Sequence, residues 1–155
     1  MIDTPAIVTT SVQLMACIHV TVARSEIQRV MGPGLKEIME TIGAQGAKPS
    51  GPWFTHHLKI EPGSFDFEIC VPVEAKIRAS GRVNAGEWPA MKVARTIYHG
   101  GYQGMGGAWG QFEAWIKDNG YTSATDLWER YLVGPESGLG QEEWKTELNR
   151  PLVGK

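Results

Sequence analysis

The chain has 155 residues, of which 42% are hydrophobic and 21% charged, and this balance is typical of one globular domain with its own core. The net charge of −2, without any run of basic residues, argues against direct nucleic-acid binding, which needs a clustered basic face. No membrane span and no signal peptide are evident, and the two cysteines lie far apart, so we expect a cytoplasmic protein with reduced thiols.

The first predicted elements are a strand and an interrupted helix. Residues 6–22 alternate between apolar and mixed positions, which predicts one half-buried strand. Helical spacing begins after Ser25, a suitable N-cap, and Gly43 and Gly46 are suitable stops. Gly-Pro-Gly at residues 32–34 interrupts this spacing, so we predict a short helical turn, a break, and a main helix from about 34 to 44.

More strands and a second helix follow. A Pro-Gly turn between two alternating runs predicts a hairpin, and a glycine-rich stretch precedes the second helix. The predicted ranges are strand 52–60, turn 61–64, strand 65–71, one or two strands over 82–99 broken at Trp88-Pro89, helix 108–118 closed by Gly120, strand 126–133 and strand 144–150.

The two halves of the chain repeat one hydrophobic pattern. Adding 74 to the residue number carries Ile38 to Phe112, and the same offset relates the first predicted hairpin strand to its counterpart. The last strand of each half needs an offset of 79, which carries Glu68 to Glu147. The five extra residues fall in a predicted loop, where insertions cost little. We therefore predict an internal duplication.

The duplication predicts an α+β fold within one domain over residues 1–155, with repeats over about 6–73 and 82–152. Each repeat is a strand–helix–strand–strand unit whose sheet has an apolar face, covered by its helix, and a mixed face. We expect the two units to form a curved antiparallel sheet with both main helices on one face. A ligand cleft is expected on the pseudo-twofold axis.

Several segments in a fixed order resemble the GyrI-like small-molecule-binding domains: GPWFTHHLKI, FDFEICVPV, GRVNAGEWPAMKVARTIYHGGYQGMGGAW, LWERYLVGP and WKTELNRPL. The resemblance covers roughly residues 8–152. It implies the duplicated fold and lipophilic, often cationic aromatic ligands, held in the cleft by aromatic side chains around a buried glutamate. The family includes effector-binding domains of multidrug-sensing and AraC-type regulators. Because this sequence starts almost at the first strand, we expect a stand-alone member without a helix-turn-helix.

The resemblance also implies site residues. Glu147 matches the acidic position, Glu68 is its repeat partner, and Tyr131 matches the tyrosine of the WExYL-like strand. The family usually has tyrosine where this chain has His57, which leaves the ligand's charge open. By strand parity both glutamates lie opposite the apolar faces, where a carboxylate needs a partner. This partner is either a cationic ligand or a set of hydrogen bonds from neighbouring Tyr, Thr and Arg side chains.

Other residues are candidates for the cleft lining, with plain packing as the alternative for several of them. They are Trp53, Trp88, Trp109, Tyr102, Met15, Cys17 and His19. No metal site is expected, because His56 and His57 are adjacent in a strand and point to opposite faces. The glycine-rich GGYQGMGG lacks the Lys-Ser/Thr of a phosphate-binding loop, so no cofactor is expected either.

Three functions remain in competition. The first is a binding module that senses or sequesters lipophilic, cationic or aromatic compounds. The second is a hydrolase for strained or electrophilic ligands, with Glu147 or Glu68 as general base and Tyr131 positioning the ligand. The third is a protein-interaction role such as gyrase modulation. Binding ranks first because polar residues suited to catalysis are few, and the sequence leaves the oligomeric state open.

Overall fold

The computed structural model describes residues 1–60, 63–134 and 137–153. The chain divides into two compact units: unit 1 comprises Met1–Thr10 and Met91–Lys155, and unit 2 comprises Ser11–Ala90. The helices and main strands are β1 (Ala6–Thr9), β2 (Gln13–Ala23), α1 (Ile27–Ala44), β3 (Phe54–Ile60), β4 (Ser64–Pro72), β5 (Asn84–Trp88), β6 (Lys92–His99), α2 (Met105–Asp118), β7 (Thr122–Ser123), β8 (Leu127–Val133) and β9 (Lys145–Val153).

Unit 2 is an antiparallel sheet with the strand order β3-β4-β2-β5 and one helix, α1. Alternate residues of β2 and β4 point toward α1 and form the core, because side chains alternate between the faces of a strand. The buried members of this core are Ala16, Ile18, Val20, Ile38, Ile42, Phe67, Ile69, Val71, Val73, Ile77 and Val83. Burial of this apolar surface is the main favourable contribution to folding of the unit.

Unit 1 has the corresponding order β1-β6-β9-β8, again antiparallel, with β7 paired to β9. Helix α2 covers one face. The buried core residues on that face are Ala94, Tyr98, Ala108, Phe112, Ile116 and Leu148. The α+β class with antiparallel strands and a repeated strand–helix–strand–strand unit is thus confirmed.

Helix packing repeats between the units at the offset seen in the sequence. Ile38 in α1 and Phe112 in α2 are both fully buried in the cores of their units. Each helix is followed by a glycine with positive φ, Gly46 at 72° and Gly120 at 82°. Such a conformation strains other residues, which explains why glycine follows both helices.

The strand predicted over residues 6–22 is two strands in the structure. β1 pairs with β6, whereas β2 pairs with β4 and β5. The chain leaves β1 at Thr10, whose backbone N–H donates to the carbonyl of Met91 at 2.8 Å. Alternation continues through this change of partners, so the sequence pattern cannot reveal it.

The predicted break in the first helix is wrong, because α1 runs through Pro33 without interruption. An added Cβ at Gly34 would lie 2.6 Å from Cδ1 of Ile69, so this glycine allows α1 to pack closely on β4. Tertiary packing therefore overrides the local preference for a break. The predicted Ser25 cap is also wrong, since Ser25 lies in a 3₁₀ turn and the N-cap of α1 makes no side-chain hydrogen bond. The predicted hairpin turn includes residues 61–62, which lie outside the described residues.

The positive φ of Gly120 leads to a stability prediction. Gly120→Ala is expected to lower the free energy of unfolding by about 1 kcal/mol, because a Cβ is strained in this conformation while no atom lies near it. Urea denaturation followed by circular dichroism measures the change.

Gly110→Ala is the matched control. Gly110 lies on the exposed side of α2, with no atom within 4 Å of an added Cβ, so alanine should raise the free energy of unfolding by about 0.5–1 kcal/mol. If both variants changed the free energy of unfolding equally and in the same direction, the result would contradict the positive φ assigned to Gly120.

Candidate functional site

Each unit presents a glutamate on the sheet face opposite its helix. Phe67 and Ile69 flank Glu68 in sequence and point into the core of unit 2, so Glu68 faces the other way. Leu148 points into the core of unit 1, so its neighbour Glu147 also faces away from the helix. The parity prediction for both glutamates is confirmed.

Glu147 lies in a cluster with Arg95, Arg130 and Asn149, here called the arginine–glutamate cluster. Its Oε1 is 3.4 Å from Nε of Arg95 and 3.3 Å from Nη1 of Arg130. Asn149 donates to the same oxygen at 3.0 Å and accepts a hydrogen bond from Nε of Arg95 at 2.6 Å. Glu147 is 8% exposed, so three protein donors surround a buried carboxylate oxygen.

Charge balance in this cluster favours the arginines. Burial lowers the pKa of Arg130 below its ordinary value, and the nearby Arg95 lowers it further, while Glu147 opposes both effects. Among these four residues, two guanidinium groups lie beside one carboxylate. The cluster therefore holds cations of the protein itself next to the glutamate.

Unit 2 has the equivalent cluster around Glu68. Nδ1 of His56 lies 3.1 Å from Oε1 of Glu68, and the Cys17 thiol donates to Oε2 at 3.7 Å. His19 is exposed and bonded to Asp66 through Nε2. Glu68 is more exposed than Glu147, with 24% of its side chain accessible.

Four residues of these clusters were not predicted from the sequence: His56, Arg95, Arg130 and Asn149. Adding 74 to His56 gives Arg130, and the register shows that each stands directly opposite a glutamate, Glu68 or Glu147. A basic residue at the same position of both repeats is a sequence signal for a charged partner opposite each glutamate.

Alternation along residues 52–60 sets His57 opposite the apolar Phe54, Leu58 and Ile60, which predicts that His57 shares the mixed face with Glu68. This prediction is wrong. His57 is opposite Phe67 and stacks on its ring at 5.2 Å, so it lies on the helix face rather than with Glu68. A register shift between His57 and Lys59 ends the simple alternation that the prediction assumed. Its repeat partner Tyr131 likewise lies on the helix face, opposite Thr146, and is followed by a similar shift.

Tyr131 belongs to a second group in unit 1, here called the aromatic cluster: Tyr102, Trp109, Glu129, Tyr131 and Trp144. The Tyr131 hydroxyl donates to Oε1 of Glu129 at 2.7 Å, and Nε1 of Trp109 donates to Oε2 at 2.6 Å. The Tyr102 ring lies 5.9 Å from that of Tyr131 and 5.0 Å from that of Trp144. Tyr131 is buried and the other four are half-buried. Glu129 and Trp144 were not predicted, although Glu129 is the acidic residue of the WERYL segment.

The remaining predicted lining residues do not all meet. Trp53 packs against the helix-side core of unit 2, away from Glu68. Trp88 is buried and its ring lies 5.4 Å from that of Phe54. Met15 and Cys17 are buried on the same face as Glu68. Of the predicted residues, the structure therefore brings Tyr102, Trp109 and Tyr131 together in unit 1. It brings Glu68, Met15 and Cys17 together on one sheet face of unit 2, and it places Glu147 apart from both groups.

The chain matches a known protein family in sequence. A model of the GyrI-like small molecule binding domain matches residues 4–152. The chain belongs to this family. No curated protein matches this GyrI-like domain in sequence.

Solved structures share the fold of this GyrI-like domain. The C-terminal domain of EcmrR matches with a TM-score of 0.87 and 21% identity, covering 98% of both chains. EcmrR in its DNA complex with RPo matches with a TM-score of 0.87 and 22% identity, covering 98% of this chain but only 58% of EcmrR. SAV2435 bound to tetraphenylphosphonium matches with a TM-score of 0.64 and 12% identity, covering 98% of this chain and 95% of that one.

Among the residues that the structure describes, no three His, Cys, Asp or Glu side chains of this GyrI-like domain are arranged to hold a metal ion. None of the described helices is long and apolar enough to cross a membrane.

The arginine–glutamate cluster predicts a cost for removing its carboxylate charge. Glu147→Gln is expected to lower the free energy of unfolding by about 1–2 kcal/mol, because Arg95 and Arg130 would remain half-buried beside a neutral amide. Thermal and urea unfolding measure the loss.

Glu87→Gln is the control, since it removes one negative charge from an exposed position of β5. This variant should change stability by less than about 0.5 kcal/mol. Equal stability of both variants would show that Glu147 contributes no more than a surface charge.

Proposed function

We propose that this GyrI-like domain binds lipophilic aromatic cations at the aromatic cluster of unit 1, with Glu129 as the charged partner. The proposal depends on one observation: a half-buried carboxylate is held by Trp109 and Tyr131 and is bordered by further aromatic rings. Such a group offers a ligand both negative charge and aromatic faces.

The orientation of Glu129 suits this role. Trp109 and Tyr131 are neutral donors, and their hydrogen bonds orient both carboxylate oxygens of Glu129. A cation near an aromatic face gains about 0.5–2 kcal/mol, the larger value where water is excluded. Tyr102 and Trp144 are half-buried, so their rings keep surface that a flat hydrophobic ligand could cover.

Glu147 is less suited to bind an external cation. Arg95 and Arg130 already lie within 3.4 Å of it, and a cationic ligand would meet two like charges there. The same geometry gives no support to Glu147 as a general base, because Oε1 already interacts with three protein donors. We propose instead that Glu147 holds the two arginines in place.

The structural neighbours support a binding role. SAV2435 is described in complex with tetraphenylphosphonium, a lipophilic aromatic cation, and EcmrR in complex with DNA. By analogy, we propose that this chain senses or sequesters compounds of the tetraphenylphosphonium type.

Tetraphenylphosphonium is the first probe, and neutral triphenylphosphine oxide is its comparison. Titration of the purified full chain, followed by tryptophan fluorescence and calorimetry, should show saturable binding of the cation. Glu129→Gln is expected to weaken the binding of tetraphenylphosphonium about tenfold, which corresponds to about 1.4 kcal/mol. The affinity for the neutral compound should stay nearly unchanged. Tyr102→Ala should weaken the binding of both compounds, because it removes aromatic surface that they would contact.

Glu87→Gln again serves as the charge-matched control, because it lies in unit 2 on an exposed strand. It should bind both probes like the wild type. Absence of saturable binding to either probe would refute the proposed function. If Glu129→Gln and Glu87→Gln changed the affinity for tetraphenylphosphonium equally, the proposed role of Glu129 would be refuted.

A further inference from the structure

Two cysteines far apart in sequence stand directly opposite each other in unit 2. Cys17 in β2 and Cys70 in β4 are register partners in the antiparallel pair. Both are buried, with exposures of 4% and 0%, and both are free thiols. Direct partners in antiparallel strands have Cα atoms about 4.5 or 5.5 Å apart, and both separations lie within the range of about 4.4–6.8 Å found across disulfides.

The two thiols share a polar environment. Cys17 donates to Oε2 of Glu68 at 3.7 Å. The pKa of Cys70 is raised well above its ordinary value, first by burial and then by its contacts with the Cys17 thiol and the charge of Glu68. Cys17 is thus the thiol next to a proton acceptor, and Cys70 is the more deeply buried partner.

We infer that Cys17 and Cys70 form an oxidation site that a small peroxide converts into an intramolecular cross-strand disulfide. Nothing in the proposed binding function requires this pair, so the inference is independent of it. Cys17 reacts first, because it has some solvent exposure and because Glu68 can take its proton. Cys70 then resolves the intermediate from the opposite strand.

The reaction balances with hydrogen peroxide as oxidant. The Cys17 proton moves to Glu68, and the thiolate attacks one peroxide oxygen; the O–O bond breaks, and the departing hydroxide takes the proton back as water. The sulfenic acid on Cys17 is then attacked by the sulfur of Cys70. The S–O bond breaks, an S–S bond forms, and the hydroxyl leaves with the Cys70 proton as a second water.

Packing around Cys17 favours a small oxidant over a large one. An added Cβ at Gly86 would lie 3.2 Å from Sγ of Cys17 and 2.9 Å from Cε of Met15, so the β5 backbone lies close over this thiol. Hydrogen peroxide is smaller than a disulfide reagent, so it meets less steric obstruction at Cys17, which is 4% exposed. We therefore expect hydrogen peroxide to oxidise the cysteine pair faster than oxidised glutathione does.

The test treats the full-length wild type with hydrogen peroxide, blocks remaining thiols with N-ethylmaleimide in denaturant, and measures intact mass. The expected result is loss of two hydrogen atoms together with loss of both maleimide adducts, reversed by dithiothreitol. Tryptic digestion without reduction should release residues 1–24 linked to residues 60–76, the fragments that contain the two cysteines. A non-reducing gel should show a monomer.

Cys17→Ala and Cys70→Ala are matched variants. Each should retain one thiol and lose the linked peptide, and circular dichroism establishes whether each remains folded. The linked peptide in the wild type is decisive even if a variant fails to fold. Two unreacted thiols after peroxide treatment, added oxygen atoms without linkage, or linkage between two chains would each overturn the inference.

Discussion

Backbone hydrogen bonding between neighbouring strands decides which side chains meet in each unit, because register partners lie on the same sheet face. In unit 2 this pairing places Glu68 opposite His56 and Cys17 opposite Cys70. In unit 1 it places Glu147 opposite Arg130. A shift of one residue would send each set into the helix-side core, so the polar clusters depend on the same register as the hydrophobic cores.

Hydrophobic periodicity predicted most of the fold, because it reports burial directly. The offset linking Ile38 to Phe112 identified two equivalent helices, and both residues are fully buried. It could not predict the change of strand partner near Thr10, since alternation continues across it. It also misplaced His57, because the register shift between His57 and Lys59 puts His57 and Ile60 on the same face. Such shifts depend on backbone geometry that residue type does not encode.

Glu147 and Glu129 of unit 1 show why residue type alone does not assign a ligand-binding role. Glu147 is the more buried, yet guanidinium groups of the chain itself lie beside it. Glu129 accepts hydrogen bonds from the neutral donors Trp109 and Tyr131. The family resemblance pointed to Glu147 as the acidic residue of the site, whereas the pairing of β9 with β6 and β8 brings Arg95 and Arg130 beside it. The neighbouring side chains of each carboxylate, rather than its burial, are the reason why Glu129 and not Glu147 is proposed to bind the ligand.

The division of the chain into units also bears on how it folds during synthesis. Unit 2 is one uninterrupted segment, Ser11–Ala90, whereas unit 1 joins Met1–Thr10 to residues that begin at Met91. On the ribosome, unit 2 has all its strands as soon as residue 90 has emerged, while β1 must wait for its partner β6. Pairing across so long a stretch of chain carries a larger loop-closure cost. We therefore expect unit 2 to fold first, while the N-terminal strand of unit 1 stays unpaired until the second half of the chain is made.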